Sequence, residues 1–480
     1  MSAVDPAVKR LKTDIDMEME TGGVASASSN AKLGNTGKED MISLRRMYYC
    51  ALLPPVSFNN IGFDSSVAAA RLFPFKHFCR WLGYDHVDKD CLLRREMSFT
   101  LDGDIYIRYL SFKNPKDMEK DMIKRNPEKI DIGAIYNIPA ADRMSVADGS
   151  FVPQEREFVI DIDLSDYNDV RTCCSAAGIC TRCWPFMAVA VRVLDSALRK
   201  DFGFKHIMWV YSGRRGVHCW VSDRRARLLS NDARSAVAEN LSCYVGGTGR
   251  QVDLTYPLHP SMRRAYDDVL KDTFENLCIG EQQILSGEDD RQRLIEENLL
   301  EMIPDPSIKE RIKDLFSRQS DGWQKWGVLQ SEIEKVKKNM HMKKSGVSSS
   351  LRRTANAVED IVFAHIYPRL DIAVSRHMNH LLKAPFAIHP KTGRVCTPMD
   401  ISNVEDFDPE AVPTIGLLFE EMEAIKGDVP RGTEWKHTSM KGPVGVFEAF
   451  LDGLSSENAA RKKDLCGMDE AIDFMSDPTQ

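Results

Sequence analysis

Glu157-Phe158-Val159-Ile160-Asp161-Ile162-Asp163-Leu164 alternates strictly, with Phe158, Ile160, Ile162 and Leu164 apolar and Val159, Asp161 and Asp163 between them. Period-two alternation marks a β-strand with one buried face, so both carboxylates project from the opposite face. On an extended strand their α-carbons stand roughly 6.5 Å apart, close enough for both side chains to reach a shared pair of hard cations. Bare anions at that spacing repel. A divalent metal removes the repulsion, and two such ions can clamp the attacking and leaving oxygens of a phosphoryl transfer. An Asp-x-Asp pair alone is more often two solvated acids on an exposed edge strand, so its neighbours must decide.

With 480 residues, 43% of them apolar, the chain can bury a large core as one elaborated domain or two coupled ones. Its formal net charge of -7 excludes bulk basicity as the means of holding nucleic acid, and a polyanion would need a local basic cleft. No apolar run approaches the length of a membrane span and residues 1–40 carry no signal peptide, which predicts a soluble intracellular protein that uses no membrane. The 12 cysteines lack disulfide-framework spacing, so reduced thiols are expected. Residues 1–40 are too polar to offset their ordering entropy and are expected to form a disordered arm; Lys9-Arg10-Leu11-Lys12 within it is a short basic cluster of the nuclear-import kind, frequent by chance. Met41 to Arg80 is helical in pattern with a break at Pro54-Pro55, and Phe99 to Phe112 reads as a hairpin around Asp102-Gly103-Asp104. Pro260 to about Arg353 is charged and helical, its Lys/Arg-rich end from Lys335 reading as a solvated helix and loop. An apolar-rich block from Ile361 to Val395 follows, and two or three amphipathic helices are expected beyond Asp400.

After the acidic strand come Cys173, Cys174, Cys180 and Cys183, four thiols that can complete a tetrahedral shell, the arrangement of structural zinc. A closed four-thiolate site cannot activate water, so any catalysis must sit elsewhere. Pro185 to Phe202 is a helix, opened by proline and closed by Gly203. It leads to a strand at Ile207–Tyr211, the loop Ser212-Gly213-Arg214-Arg215-Gly216, and a return strand Val217–Ser222. The two glycines let the backbone turn sharply while Arg214, Arg215 and His218 face one spot; planar guanidinium forks and nearby backbone amides suit a polyphosphate. Alone, the loop is equally a surface hairpin with incidental arginines. Far downstream, Leu370, Ile372 and Val374 alternate around Asp371, predicting a strand that would offer a third carboxylate. His380, Lys383, His389 and Arg394 follow closely.

Taken together, Phe158 to Cys183, Ser212-Gly213-Arg214-Arg215-Gly216-Val217-His218-Cys219-Trp220, and Pro368 to Arg394 closely resemble the catalytic small subunit of eukaryotic DNA primase. Weaker matches at Leu72–Tyr84, Arg95–Phe112, Lys129–Ala134 and Val444–Leu465 extend the resemblance over most of residues 72–465. It implies the archaeo-eukaryotic primase fold, a mixed α/β (α+β) catalytic domain with a helical subdomain and a four-cysteine zinc motif. The expected divisions are the arm at 1–40, catalytic residues 41–260, helical residues 261–360, and catalytic residues 361–480. It further implies de novo synthesis of short RNA primers on single-stranded DNA by nucleotidyl transfer. Asp161, Asp163 and Asp371 would hold two Mg²⁺ or Mn²⁺ ions, and Cys173, Cys174, Cys180 and Cys183 would hold Zn²⁺. Glu96 is carried over as a further catalytic-site acid. Ser212, Arg214, Arg215, His218 and Lys383 would bind the triphosphate, and Arg108, Lys129, Asp131 and His389 would line the same pocket, with Asp131 or His389 reading the ribose. The implied partners are the primase large subunit, the catalytic and accessory subunits of DNA polymerase alpha, template DNA, RNA primer and ribonucleoside triphosphates, in the nucleus.

Three departures stand out: Tyr48-Tyr49 comes early, an apparent insertion runs from about Pro54 to Ala70, and Ala384 stands where serine is common. None falls on a motif residue. Two other readings share parts of the pattern, a repair primase-polymerase extending existing ends and a non-catalytic nucleic-acid-binding subunit. The Cys-Cys-x5-Cys-x2-Cys and Ser-Gly-Arg-Arg-Gly loops disfavour the first, and the presence of all three aspartates disfavours the second.

Overall fold

The computed structural model describes residues 38–49, 72–84, 90–247, 251–342, 347–425, 429–430 and 433–457. The chain divides into two compact units, residues 1–42 and the remainder from Ser43; both sheets and the helices packed on them belong to the second. Most of the expected arm, the 54–70 insertion and the end of the 444–465 helix lie outside the described residues, although a helix already begins at Lys38 and runs to Tyr49.

Two antiparallel sheets carry the architecture. The first contains β1 (Arg95–Leu101), β2 (Ile105–Leu110), β3 (Lys129–Tyr136) and β4 (Pro153–Glu155) in the order β2-β1-β3-β4. The hairpin expected around Asp102-Gly103-Asp104 is β1–β2, and Gly103 and Asp104 both adopt positive φ at its turn. The second sheet holds β5 (Phe158–Asp163), β6 (Ile207–Tyr211) and β7 (Gly216–Val221) in the order β5-β7-β6. Phe158, Ile160 and Ile162 enter the main core as their alternation requires, together with Val217, Cys219 and Val221 of β7 and Trp209 and Tyr211 of β6.

Against that face packs the helix Pro185–Lys200, almost wholly buried, and the same core continues into helical segments between Pro260 and Ile366, among them Asp290–Glu301, Pro306–Phe316 and Ala357–Ile366. The opposite face of the sheet is apolar only at one end, where buried Trp220 meets Trp81 edge-on at 5.0 Å and Trp81 meets Phe447. Its other end carries Asp161, Asp163 and His218. The two sheets are tied together by one late stretch of chain. Strand β8 (Leu382–Lys383) pairs with β3, Asp131 opposite Lys383, and residues 397–399 then bond to the edge of β6 through Tyr211 N to Thr397 O at 2.8 Å and Met399 N to Trp209 O at 2.9 Å. Among the described residues no helix is long and apolar enough to cross a membrane.

One element differs from expectation. Leu370 to Val374 is not a strand; Asp371 is the N-cap of a short helix, Ile372–Arg376, and its carboxylate accepts from Ala373 N at 3.1 Å. Local capping by an aspartate outcompetes an alternation only three apolar residues long.

Candidate active site

Cross-strand register places the first chemical groups. In the β5–β7 ladder Asp161 faces His218 and Asp163 faces Gly216, so the carboxylates and the imidazole share the uncovered face of the sheet. Gly216 is required there, since a Cβ would lie 2.4 Å from Ile162 O. Gly213 is held at φ +88, and a Cβ on it would meet the His389 side chain at 2.7 Å. Between these glycines the loop is locked: Ser212 N donates to Gly216 O at 2.9 Å, Gly216 N to Ser212 Oγ at 3.0 Å, and Tyr211 OH to Arg214 O at 2.7 Å. Lys383 Nζ and Thr392 Oγ1 clasp it from outside through Ser212 O at 3.0 Å and Gly213 O at 2.7 Å. Ser212 therefore shapes the turn, and the arginines are presented on a rigid support.

These pieces enclose a cleft of about 300 Å³ whose lining includes Asp161, Asp163, Lys129, Ser212, Arg214, Arg215, His218, Lys383 and His389. Arg215 Nε reaches Asp163 at 2.7 Å, and Lys129 Nζ reaches Asp131 at 3.0 Å. Arg214 and Lys383, in contrast, form no ion pair among the described residues, although burial and the Arg215 charge already depress the Arg214 pKa. Two unneutralised cations in a cleft are a standing demand for an anion. Burial and the charges of Lys383 and Lys129 hold His218 down to about 3, and burial with Lys383 and Arg214 does the same to His389. Both imidazoles are thus neutral near pH 7. His389 Nδ1 accepts from Lys391 N at 3.2 Å, which leaves its proton on Nε2 as a donor.

Asp371 reaches the site through its backbone, its N–H donating to Asp161 O at 3.0 Å. Asp161 is pushed up to about 7, first by burial and then by the charges of Asp163 and Asp371. Its side chain keeps 32% of its surface, but only toward the cleft, and the surrounding protein still desolvates it. Three mutually repelling acids with a half-protonated member fit a site for hard divalent cations. They do not close into one cage, because Asp163 is turned onto Arg215 and Ser165 and Asp371 caps its helix.

A pH dependence follows. A carboxyl whose folded pKa lies above its ordinary 3.8 binds its proton more tightly in the native state, so its contribution to stability falls as pH rises from about 4 to about 7. Metal must displace that proton. Calorimetric Mn²⁺ affinity should therefore rise up to about tenfold per pH unit below 7 and level off above it. A profile flat from about pH 5.5 to 7 would contradict the shared charge.

Other predicted residues lie off the cleft lining. Asp131 stands behind Lys129 and accepts from Ser98 Oγ at 3.2 Å. Glu96 is fully buried, bonded to Arg108 Nε at 2.9 Å and Tyr136 OH at 3.1 Å, and Arg108 opens into a neighbouring cavity. Arg369, which sequence reasoning left without a role, is buried against Tyr167 and Tyr244 and paired with Asp169, and fixes the turn leading into Asp371. These partners lie 125 to 202 residues earlier, so no local signal could have marked it.

The sulfurs of Cys173, Cys174, Cys180 and Cys183 all lie within 4.8 Å of one another. The Cys180–Cys183 separation of 3.8 Å equals the edge of a tetrahedron with metal–sulfur bonds of about 2.3 Å, and is far too long for a disulfide. The donor set thus fits a closed tetrahedral metal site. Gln282, from the helical region, grips this loop: its amide donates to Cys173 Sγ at 3.4 Å and Arg182 O at 2.7 Å, while its oxygen accepts from Thr172 N at 2.8 Å.

Residues 160–401 match the sequence model described as DNA primase small subunit. The DNA primase small subunit of Drosophila melanogaster is 41% identical over 400 residues, covering 80% of this chain and 89% of its own length. That of Saccharomyces cerevisiae is 34% identical over 409 residues, 84% of this chain and 95% of its own. This chain belongs to the DNA primase small subunit family. Its mixed helix-and-sheet architecture is the fold of that family, and its general activity is DNA primase. A more distant likeness reaches the small subunit PriS of Methanobrevibacter smithii, 26% identical over 342 residues, which cover 68% of this chain and 90% of that one. The family match takes in both acids of β5, the cysteine loop, the arginine loop, Asp371, Lys383 and His389, and therefore every residue named on the cleft except Lys129.

Proposed function

We propose that the chain synthesises short RNA primers de novo on single-stranded DNA by nucleotidyl transfer between ribonucleoside triphosphates. The observation that carries this reading is the union, in one cleft, of paired strand carboxylates with two unpaired cations, Arg214 and Lys383. Asp161, Asp163 and Asp371 would hold two Mg²⁺ or Mn²⁺ ions, which supply activation of the attacking 3′-hydroxyl and neutralisation of the triphosphate. Arg214 and Lys383 would bind phosphate oxygens from a loop and a strand already held by their own hydrogen bonds, and His389 Nε2–H adds a neutral donor. Arg215 holds Asp163 in position, and His389, or Asp131 acting from behind Lys129, would read the ribose. The cysteine loop would hold Zn²⁺ and is structural. The family name implies assembly with a large subunit, and we extend this to the DNA polymerase alpha subunits and a nuclear site of action.

Ribonucleotides and naked single-stranded template should suffice for short RNA products; product only from a preformed end would overturn the reading. Arg214→Ala or Lys383→Ala should weaken triphosphate binding about tenfold to a hundredfold, each removing a charge-assisted contact of about 1.5–3 kcal/mol. Equilibrium nucleotide titration checks this, and unaltered affinity would refute the clamp.

A further inference from the structure

Arg156, between β4 and β5, carries a buried charge that the protein does not balance. It is fully buried and forms no ion pair among the described residues; its side chain donates one hydrogen bond, from Nη1 to His377 O at 3.1 Å, and its Nε and Nη2 meet no acceptor there. The arginines around it are treated differently. Arg95, equally buried, takes the adjacent Glu157 carboxylate at 2.6 Å, and Arg234 spreads its protons over backbone carbonyls that include Leu229 O and Glu157 O, each at 3.0 Å. Burial first, and then the Arg234 charge, push the Arg156 pKa down to about 9, as expected of a cation held where solvation is lost. A group that breaks the rule of buried pairing calls for a reason outside stability.

The carbonyl that Arg156 holds closes a turn. His377 O also accepts from His380 N at 3.3 Å, and from His380 to Lys383 the chain forms a wall of the catalytic cleft. No ladder supports the turn. It lies between the short helix that ends at Arg376 and β8, which is only two residues long. Side chains from elsewhere hold it instead, Asn231 Oδ1 accepting from Met378 N at 3.1 Å and Arg156 gripping the His377 carbonyl. The Arg156 charge is felt at the wall itself, where, with burial, it lowers the His380 pKa. The same stretch of chain joins Asp371 to Lys383, an acid of the metal site to a cation of the phosphate site.

We propose that Arg156 is a positioning residue for triphosphate binding, which braces the His377–His380 turn from inside the protein and so sets the cleft wall that ends in Lys383. Without the brace the turn is free to shift, and with it the place of Lys383 relative to Arg214 on the cleft. A misplacement of about 1 Å in such a group costs up to about a hundredfold. The inference rests on the reading of the cleft as a triphosphate site.

Arg156→Met and Arg156→Lys, each in the full chain, test it beside Lys383→Ala, by thermal melting and by equilibrium titration with a ribonucleoside triphosphate. The Met variant loses an unbalanced buried charge, so it should melt at the wild-type temperature or above it. It should nevertheless bind the nucleotide about tenfold more weakly. The Lys variant keeps a donor for His377 O and should recover the affinity to within about threefold of wild type. Unchanged affinity in the Met variant, melting well below wild type, or a Lys variant as weak as the Met variant would each overturn the role. Affinity lost in Lys383→Ala but kept in Arg156→Met leaves the triphosphate site standing and removes the brace; affinity lost in Arg156→Met but kept in Lys383→Ala upholds the braced wall and refutes the clamp lysine.

Discussion

Asp161→Asn should lower primer synthesis by about a thousandfold or more, equivalent to about 4 kcal/mol in the barrier, while raising the thermal stability of the metal-free protein. The two changes share one origin. Asp161 lies between Asp163 and Asp371 in a desolvated cleft, which lifts its pKa to about 7 and leaves the ion-free site strained by like charges. The amide keeps the shape and removes the charge, so the repulsion falls while a ligand for hard cations is lost. A melting experiment without metal, beside a primer-synthesis assay with it, reads both changes. Loss of activity with equal loss of stability would indicate a structural residue, and retained activity would sink the assignment.

Stripping the metal from the cysteine loop should cost several kcal/mol, a large fraction of the roughly 5–15 kcal/mol that holds a domain folded. Cys183→Ser should act alike. Cys183 is buried, receives Arg171 Nη1 at 3.6 Å, and has its pKa lowered first by its contact with Cys173. The damage should spread from there, because Gln282 and Arg291 fasten the loop to the helical region, Arg291 through Cys174 O at 3.2 Å. Thermal unfolding with and without a chelator, together with metal analysis, checks the claim. Equal melting temperatures would show that the four sulfurs gather for another reason.

Much of this was legible in the sequence because it rests on short-range patterns. Alternation at 158–164 marked a strand and its buried face, glycines at 213 and 216 marked a tight turn, and Cys spacing marked four sulfurs that do gather. Asp371 was assigned to the correct neighbourhood in the wrong conformation. Leu370, Ile372 and Val374 suit a strand or one helical turn equally, and the deciding fact, that the Asp371 carboxylate caps Ala373 N, is a single hydrogen bond. Gln282, Arg291 and Arg369 were invisible because each acts on a segment more than a hundred residues away. Glu96 and Arg108 came from resemblance alone, and their place off the cleft reflects burial that no local pattern announces.

The seam made by β8 bears on how the molecule is born. A nascent chain ending near residue 221 already contains the β5 acids and the arginine hairpin, yet β3 waits for Leu382–Lys383 and β6 for residues 397–399. Maturation of the cleft is therefore deferred until residue 399 has been made, and premature termination anywhere before it would release an inert product with exposed, adhesive sheet edges.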